Sequence, residues 1–195
     1  MDKKKAIIVG DYFPLDNKES YETKVFAEQV NNVGIDVFLL SASWCKIDKK
    51  NFTEYELLRE SEKIFFKKFY VDPIQLQQWR IDILLGLYSL ALKVLEKYKI
   101  DYIFFLDEMI YYPLLLLLKK KYPLIKIYCI IGTLNYRELY DDYLYPEVIN
   151  SFEDVDYIVS NTDILNEIKK EMDIASSKLL IESTFYEQMM KGKLV

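Results

Sequence analysis

The strongest constraint in this sequence is an alternation: short apolar runs rich in β-branched residues, separated by longer stretches in which apolar residues recur at helical spacing. The first run, Lys5-Ala-Ile-Ile-Val-Gly10, is apolar at consecutive positions, the pattern of a parallel strand buried on both faces, and Gly10 closes it. A loop, Asp11 to Lys18, follows. Residues 19 to 33 then place Val25, Phe26, Val30 and Val33 near the helical repeat, and Gly34 stops the helix before a second strand, Ile35 to Ser41. Strand, loop, helix, glycine, strand is the unit of a right-handed parallel crossover.

From Ser43 to Phe66 the pattern is polar and less periodic, which predicts an irregular excursion with some helix, followed by a strand around Ile64 to Val71. Pro73 to Tyr98 carries a long helical pattern through Leu76, Trp79, Ile83, Leu84, Leu87, Leu90 and Leu95. The alternation then becomes regular. Strands are predicted at Asp101 to Leu106, Ile125 to Ile131, Val155 to Ser160 and Lys178 to Ile181. Helices are predicted at about 109 to 121, in an acidic stretch after 131, and at Ile164 to Met172. The expected fold is a single α/β domain over residues 1–195, a Rossmann-like, open, mostly parallel sheet with helices on both faces. In such sheets ligands bind outside the carboxyl ends of the strands, here residues 10–14, 41–45, 107–109, 132–136 and 160–163.

Composition removes several chemistries. The 195 residues contain no histidine, so a Ser-His-Asp or Cys-His relay, an imidazole base and a His-rich zinc site are all excluded. Acid-base work falls to the 31 carboxylates. Cys45 and Cys129 form no CxxC pair, which argues against a zinc ribbon or redox motif and fits a reducing compartment; no metal is expected. The five glycines, at 10, 34, 86, 132 and 192, make neither a GxG nor a GxxxxGK, so dinucleotide-binding and P-loop fingerprints are absent. Glu54 and Glu62 stand in E-x7-E spacing, a coincidence expected from composition in a charged region. A net charge of −5 disfavours nucleic acid as a partner. The run Ala6 to Val9 is too short for a signal-peptide core, and Leu114 to Leu118 is far below spanning length. A cytoplasmic protein is expected.

Three phrases resemble the N-terminal domain of GT-B glycosyltransferases, especially the retaining family 4 enzymes. In KAIIVGDYFPLDNKESYETKVFAEQVNNVGIDVFLLS, Pro14 and Gly34-Ile-Asp-Val37 match the family opening, and Glu19-Ser20 stand where it has Gly-Gly. In DYIFFLDEMIYYPLLLLLKKKYPLIKIYCIIG, Asp107 and Gly132 match, while Phe104, Leu106 and Ile131 occupy the family's histidine positions. In DVDYIVSNTDILNEIKKEMDIASSKLLIESTFYEQM, Ser160, Lys178 and Ile181 match, and Ser183-Thr184 replace Asn-Gly. The resemblance implies an acceptor-side domain whose partner is a donor-binding C-terminal domain of the same protein, lying beyond this chain. It implies a nucleotide-sugar donor for the full-length enzyme, no cofactor held by this chain alone, and a sugar or lipid-linked glycan acceptor in cell-surface polysaccharide or glycan synthesis. The fragment by itself is expected to be inactive.

Each candidate residue also has a structural explanation. Asp11 and Tyr12 either face the cleft or solvate a loop. Glu19, Ser20 and Tyr21 open the first helix, where backbone N–H groups can hold an anion, although Glu19 is a poor neighbour for phosphate and Ser20 can serve as an N-cap. Asp107 and Glu108 are adjacent acids at a strand end, suited to sugar hydroxyls or to accepting a proton, and equally suited to a helix N-terminus. They are the catalytic candidates. Thr133, Asn135 and Arg137 follow the next strand; Arg137 pairs either with a ligand anion or with Asp141. Asn161 lines the cleft or caps the last helix. Glu138 to Asp156 holds seven acids with Tyr140, Tyr143 and Tyr145 between them, a solvated face or a sugar-stacking surface. Lys119 to Lys121 after five leucines either touch an anionic bilayer, placing the protein at the inner face of the membrane, or end a helix whose leucines are buried. A non-catalytic binding or interaction module that kept the sheet and lost the chemistry is the alternative function; an unrelated flavodoxin-like domain is a third.

Overall fold

The computed structural model describes residues 3–10, 18–43, 54–59, 62–70, 76–106, 112–132 and 152–194, with the side chains of 18–21, 41–43, 54–70, 76–84, 112–113 and 171 outside that description. Two compact units divide the chain, residues 1–103 and 104–195, with the division inside one strand.

The first unit contains β1 (Lys5–Val9), α1 (Lys18–Asn32), β2 (Asp36–Ser43), β3 (Glu54–Arg59), β4 (Glu62–Tyr70), α2 (Leu76–Lys97) and the start of β5 (Tyr102–Leu106). Its strand order is β3-β4-β2-β1-β5. β1 pairs in parallel with β2, and β2 with β4. From β1 the chain thus crosses first to β2 on one side and later to β5 on the other, which makes the carboxyl end of β1 a topological switch point. Ala6 to Val9 and Val37 to Leu40 are buried at successive positions, so both faces of these strands are covered, as consecutive apolar residues require. On α1 the covered stripe is Thr23, Phe26, Ala27 and Val30, and on α2 it includes Leu87, Leu90 and Ala91.

α1 ends in a Schellman motif. Gly34 N–H donates to Asn31 O at 2.9 Å and Ile35 N–H to Val30 O at 3.4 Å, with Gly34 at φ 88°. The buried pair Val30 and Ile35 supplies the apolar residues that accompany such a cap.

The strand expected around Ile64 to Val71 is β4, but over residues 54–59 the sequence pattern and the structure differ. Here β3 forms an antiparallel hairpin with β4 in place of an irregular excursion with helix. The lysine- and glutamate-rich pattern hid it, because an edge hairpin need not alternate cleanly between buried and exposed positions. The register pairs Glu54 with Lys67 and Arg59 with Glu62, so Glu54 and Glu62 sit at opposite ends of the ladder. Five residue steps at about 3.4 Å each keep them roughly 17 Å apart, and the E-x7-E spacing marks no shared site.

The second unit contains the rest of β5, α3 (Tyr112–Lys121), β6 (Lys126–Ile130), β7 (Tyr157–Ser160), α4 (Thr162–Glu171), β8 (Leu179–Ile181) and α5 (Glu182–Met190). Its order is β5-β6-β7-β8, with β6, β7 and β8 parallel. Phe104, Tyr128 and Phe185 form the aromatic centre, with ring centroids 5.3 to 6.1 Å apart, in the range of favourable tilted and edge contacts. α5 is absent from the sequence pattern read above, which ends at β8. It is held by Phe185 and Met189, a buried pair at i, i+4, and closes with a second Schellman motif at Gly192, φ 65°.

Leu114, Leu115 and Leu118 of α3 are fully buried. The reading in which these leucines pack inward therefore holds for three of the five. Among the described residues no helix is long and apolar enough to cross a membrane. The acidic stretch 138–156 lies outside the described residues as far as 151.

Candidate functional site

In the first unit, β1 runs out at Gly10, whose N–H donates to Leu40 O at 3.2 Å and so extends the ladder with β2 by one residue. Asp11 and Tyr12, next in the chain, lie outside the described residues. Glu19, Ser20 and Tyr21 fall in the first turn of α1, as the pattern predicted, and their side chains are not described. The backbone N–H groups of that turn have no intrahelical acceptor, the general condition for holding an anion.

In the second unit, Asp107 and Glu108 follow β5 directly and lie outside the described residues, as do Thr133, Asn135 and Arg137 after β6. Of the strand ends in this unit that carry candidate residues, those of β6, as far as Gly132, and of β7 are described. Ile131 N–H donates to Val159 O at 2.9 Å, and the buried Ser160 hydroxyl donates to Ile131 O, so the backbone entering exposed Gly132 is fixed by the neighbouring strand. Asn161, one residue on, is the N-cap of α4: its Oδ1 accepts the Ile164 N–H at 3.0 Å. Exposed Thr162 and Asp163 follow in the first turn. Of the alternatives for Asn161, capping is therefore realised through the side-chain oxygen, which leaves the amide nitrogen at the exposed rim as its only donor group. Asp163 is the only carboxylate among the described residues at the ends of β6 and β7.

The three positions that the resemblance sets against histidine carry apolar side chains. Phe104 and Ile131 are buried, and Phe104 belongs to the aromatic centre with Tyr128 and Phe185; Leu106 is half-buried. These side chains supply packing in place of hydrogen bonding. Cys129 is buried on β6, and burial pushes its thiol well above the ordinary cysteine range, which makes it a packing residue and not a nucleophile. Among the described residues no group of three or more Cys, Asp and Glu side chains stands together as a metal ion requires.

The sequence pattern missed two aspartates at the opposite ends of the strands. Asp101 accepts the Lys5 N–H at 2.9 Å through Oδ2 while its own N–H donates to Lys5 O at 2.9 Å. Asp156 does the same to Ile127, accepting its N–H at 2.9 Å and donating to its carbonyl at 3.1 Å. Asp156 also receives Lys119 Nζ at 2.7 Å, which ties the end of α3 to the start of β7. The signal was present in the repeated phrase Asp-Tyr-Ile, at 101–103 and 156–158.

No family model and no curated protein matches the sequence, but solved structures match the fold. Sucrose-phosphate synthase from Thermosynechococcus elongatus superimposes with a TM-score of 0.65 and 8% identity over 92% of this chain and 47% of that one. A fragment of the same synthase is matched over 94% of its length, with a TM-score of 0.61 and 10% identity. UDP-GlcNAc 2-epimerase from Methanocaldococcus jannaschii gives a TM-score of 0.57 at 18% identity, covering 98% of this chain and 50% of that one. The fold is that of a GT-B glycosyltransferase domain. The UGT2 of Phytolacca americana, solved with UDP-2fluoro-glucose and pterostilbene, matches with a TM-score of 0.57 and 10% identity, over 93% of this chain and 53% of its own. The chain spans about half the length of these full proteins.

Proposed function

We propose that this chain is the acceptor-side, N-terminal domain of a nucleotide-sugar-dependent glycosyltransferase that works in the cytoplasm on cell-surface polysaccharide or a related glycan. The observation that carries the proposal is the match of nearly the whole chain to about half of a sucrose-phosphate synthase and of a UGT solved with UDP-2fluoro-glucose. A second domain of the same protein binds the donor, and this chain alone transfers no sugar. In this reading Asp107 and Glu108 after β5 bind acceptor hydroxyls, one of them accepting a proton. Asp11, Tyr12, Glu19, Ser20 and Tyr21 after β1 contact acceptor or phosphate. Thr133, Asn135, Arg137 and Asn161 after β6 and β7 are further candidate contacts, each group at the carboxyl end of its own strand.

The test begins with the downstream sequence, which should encode a second β/α domain with a donor site. Calorimetry of the complete protein against a panel of sugar nucleotides should then show binding of one of them. A complete protein silent across the panel supports the second reading, a non-catalytic module. That reading has its own observation: Phe104 and Ile131, which the resemblance sets against histidine, are built into the core.

A further inference from the structure

α3 has two faces. Leu114, Leu115 and Leu118 are buried, whereas Leu117 is 44% exposed and shares its stripe, at i+3 and i+4, with the exposed Lys120 and Lys121. The turn that follows, Tyr122-Pro123-Leu124, holds Leu124 93% exposed, the most exposed of the large apolar side chains among the described residues. Lys121 Nζ lies 5.8 Å from the Tyr122 ring centroid. Residues 109 to 137 contain Lys119, Lys120, Lys121, Lys126 and Arg137 and not one acid, in a chain whose net charge is −5. The chain therefore concentrates positive charge where it also presents leucines to water. Asp156 engages Lys119 and Lys126 at 2.7 and 3.8 Å, which leaves Lys120 and Lys121 as the outward charges of the corner.

We infer that this corner, Leu117, Lys120, Lys121, Tyr122 and Leu124, is a docking surface for an anionic lipid bilayer. The occupant follows from the combination. Lysines are drawn to anionic headgroups, a tyrosine settles at headgroup level, and a leucine that projects from a proline turn enters the acyl boundary. An acidic protein would use the lysines but would need a pocket for Leu124; a bilayer needs none. With two outward lysines and two leucines the attachment is reversible and depends on salt. It stands apart from the sugar-transfer reading and does not depend on it.

Sedimentation of the 195-residue chain with vesicles tests the inference, using phosphatidylcholine alone and phosphatidylcholine mixed with phosphatidylglycerol. Binding is expected to the mixed vesicles, to fall as salt is raised, and to be weak on the neutral ones. Each of Lys120→Gln and Lys121→Gln should lower the partition coefficient about fivefold, and Leu124→Ser about tenfold. Leu85→Ser, which removes an exposed leucine from α2, should leave it unchanged. All four positions are exposed, and a thermal melt on each variant checks that it is folded. Equal binding to both kinds of vesicle, no binding to either, or a Leu124→Ser protein that binds as the parent does would overturn the inference.

Discussion

At Gly34 an added β-carbon would meet nothing within 4 Å, so the penalty of Gly34→Ala is that of the backbone alone at φ 88°. The expected loss is about 1 to 3 kcal/mol by urea denaturation, and Gly34→Asn should lose less because asparagine tolerates the left-handed region. Cys129 gives a second test at this scale. Its thiol is neutral in the folded chain and held above its ordinary range by burial. Its contribution to stability is intact below the unfolded thiol's pKa, about 8.5, and is lost as pH rises beyond it, at up to about 1.4 kcal/mol per unit. Denaturation of the parent and of Cys129→Ala at neutral and alkaline pH should show the steeper alkaline loss in the parent. In a Cys45→Ser background, folded protein at neutral pH should also leave Cys129 unmodified by a thiol reagent that labels the unfolded chain. The meaning of Phe104 could be read only partly from sequence: alignment to a family phrase marked the missing histidine, but that this ring packs against Tyr128 and Phe185 depends on α5, a helix far along the chain.

Among the elements, α1, β1 and β2 were legible because consecutive apolar residues and a terminal glycine leave few alternatives. β4 was legible as a strand, but β3 and its hairpin with β4 were not, since their register is set by cross-strand partners such as Glu54 with Lys67 that no local period records. α5 was missed because its anchoring pair, Phe185 and Met189, is short and sits in a polar helix. The strand starts carry their own device. Asp156 fastens β6, β7 and the end of α3, so Asp156→Ala leaves the Ile127 N–H without its acceptor and Lys119 Nζ with the Ile125 carbonyl, and should cost about 1 to 3 kcal/mol in chemical denaturation. Asp156→Asn keeps an acceptor for the Ile127 N–H and should lose less. If both variants unfold as the parent does, the aspartate is ornamental to the fold.

For the whole molecule, the alternation of strands and helices made the α/β class legible, and the absence of glycine fingerprints excluded the commonest nucleotide folds. The strand order β3-β4-β2-β1-β5 puts a switch point at the end of β1, which is where the candidate residues Asp11 and Tyr12 begin. Most candidate site residues lie just past strand ends in loops, and loop conformation is set by tertiary partners and ligands more than by local sequence. The sheet was legible for the opposite reason, that burial on both faces dictates its residues. The proposed acceptor-side role makes the intact protein, and not this chain, the catalyst. The most direct measurement is transfer of labelled sugar from the nucleotide donor that the intact protein binds, comparing the intact protein, its Asp107→Asn and Glu108→Gln variants and the 195-residue chain. The account predicts turnover by the intact protein, a loss of about 10²-fold or more in one of the two variants, and none by the chain alone. Turnover by the isolated chain, or full activity in both variants, would contradict it.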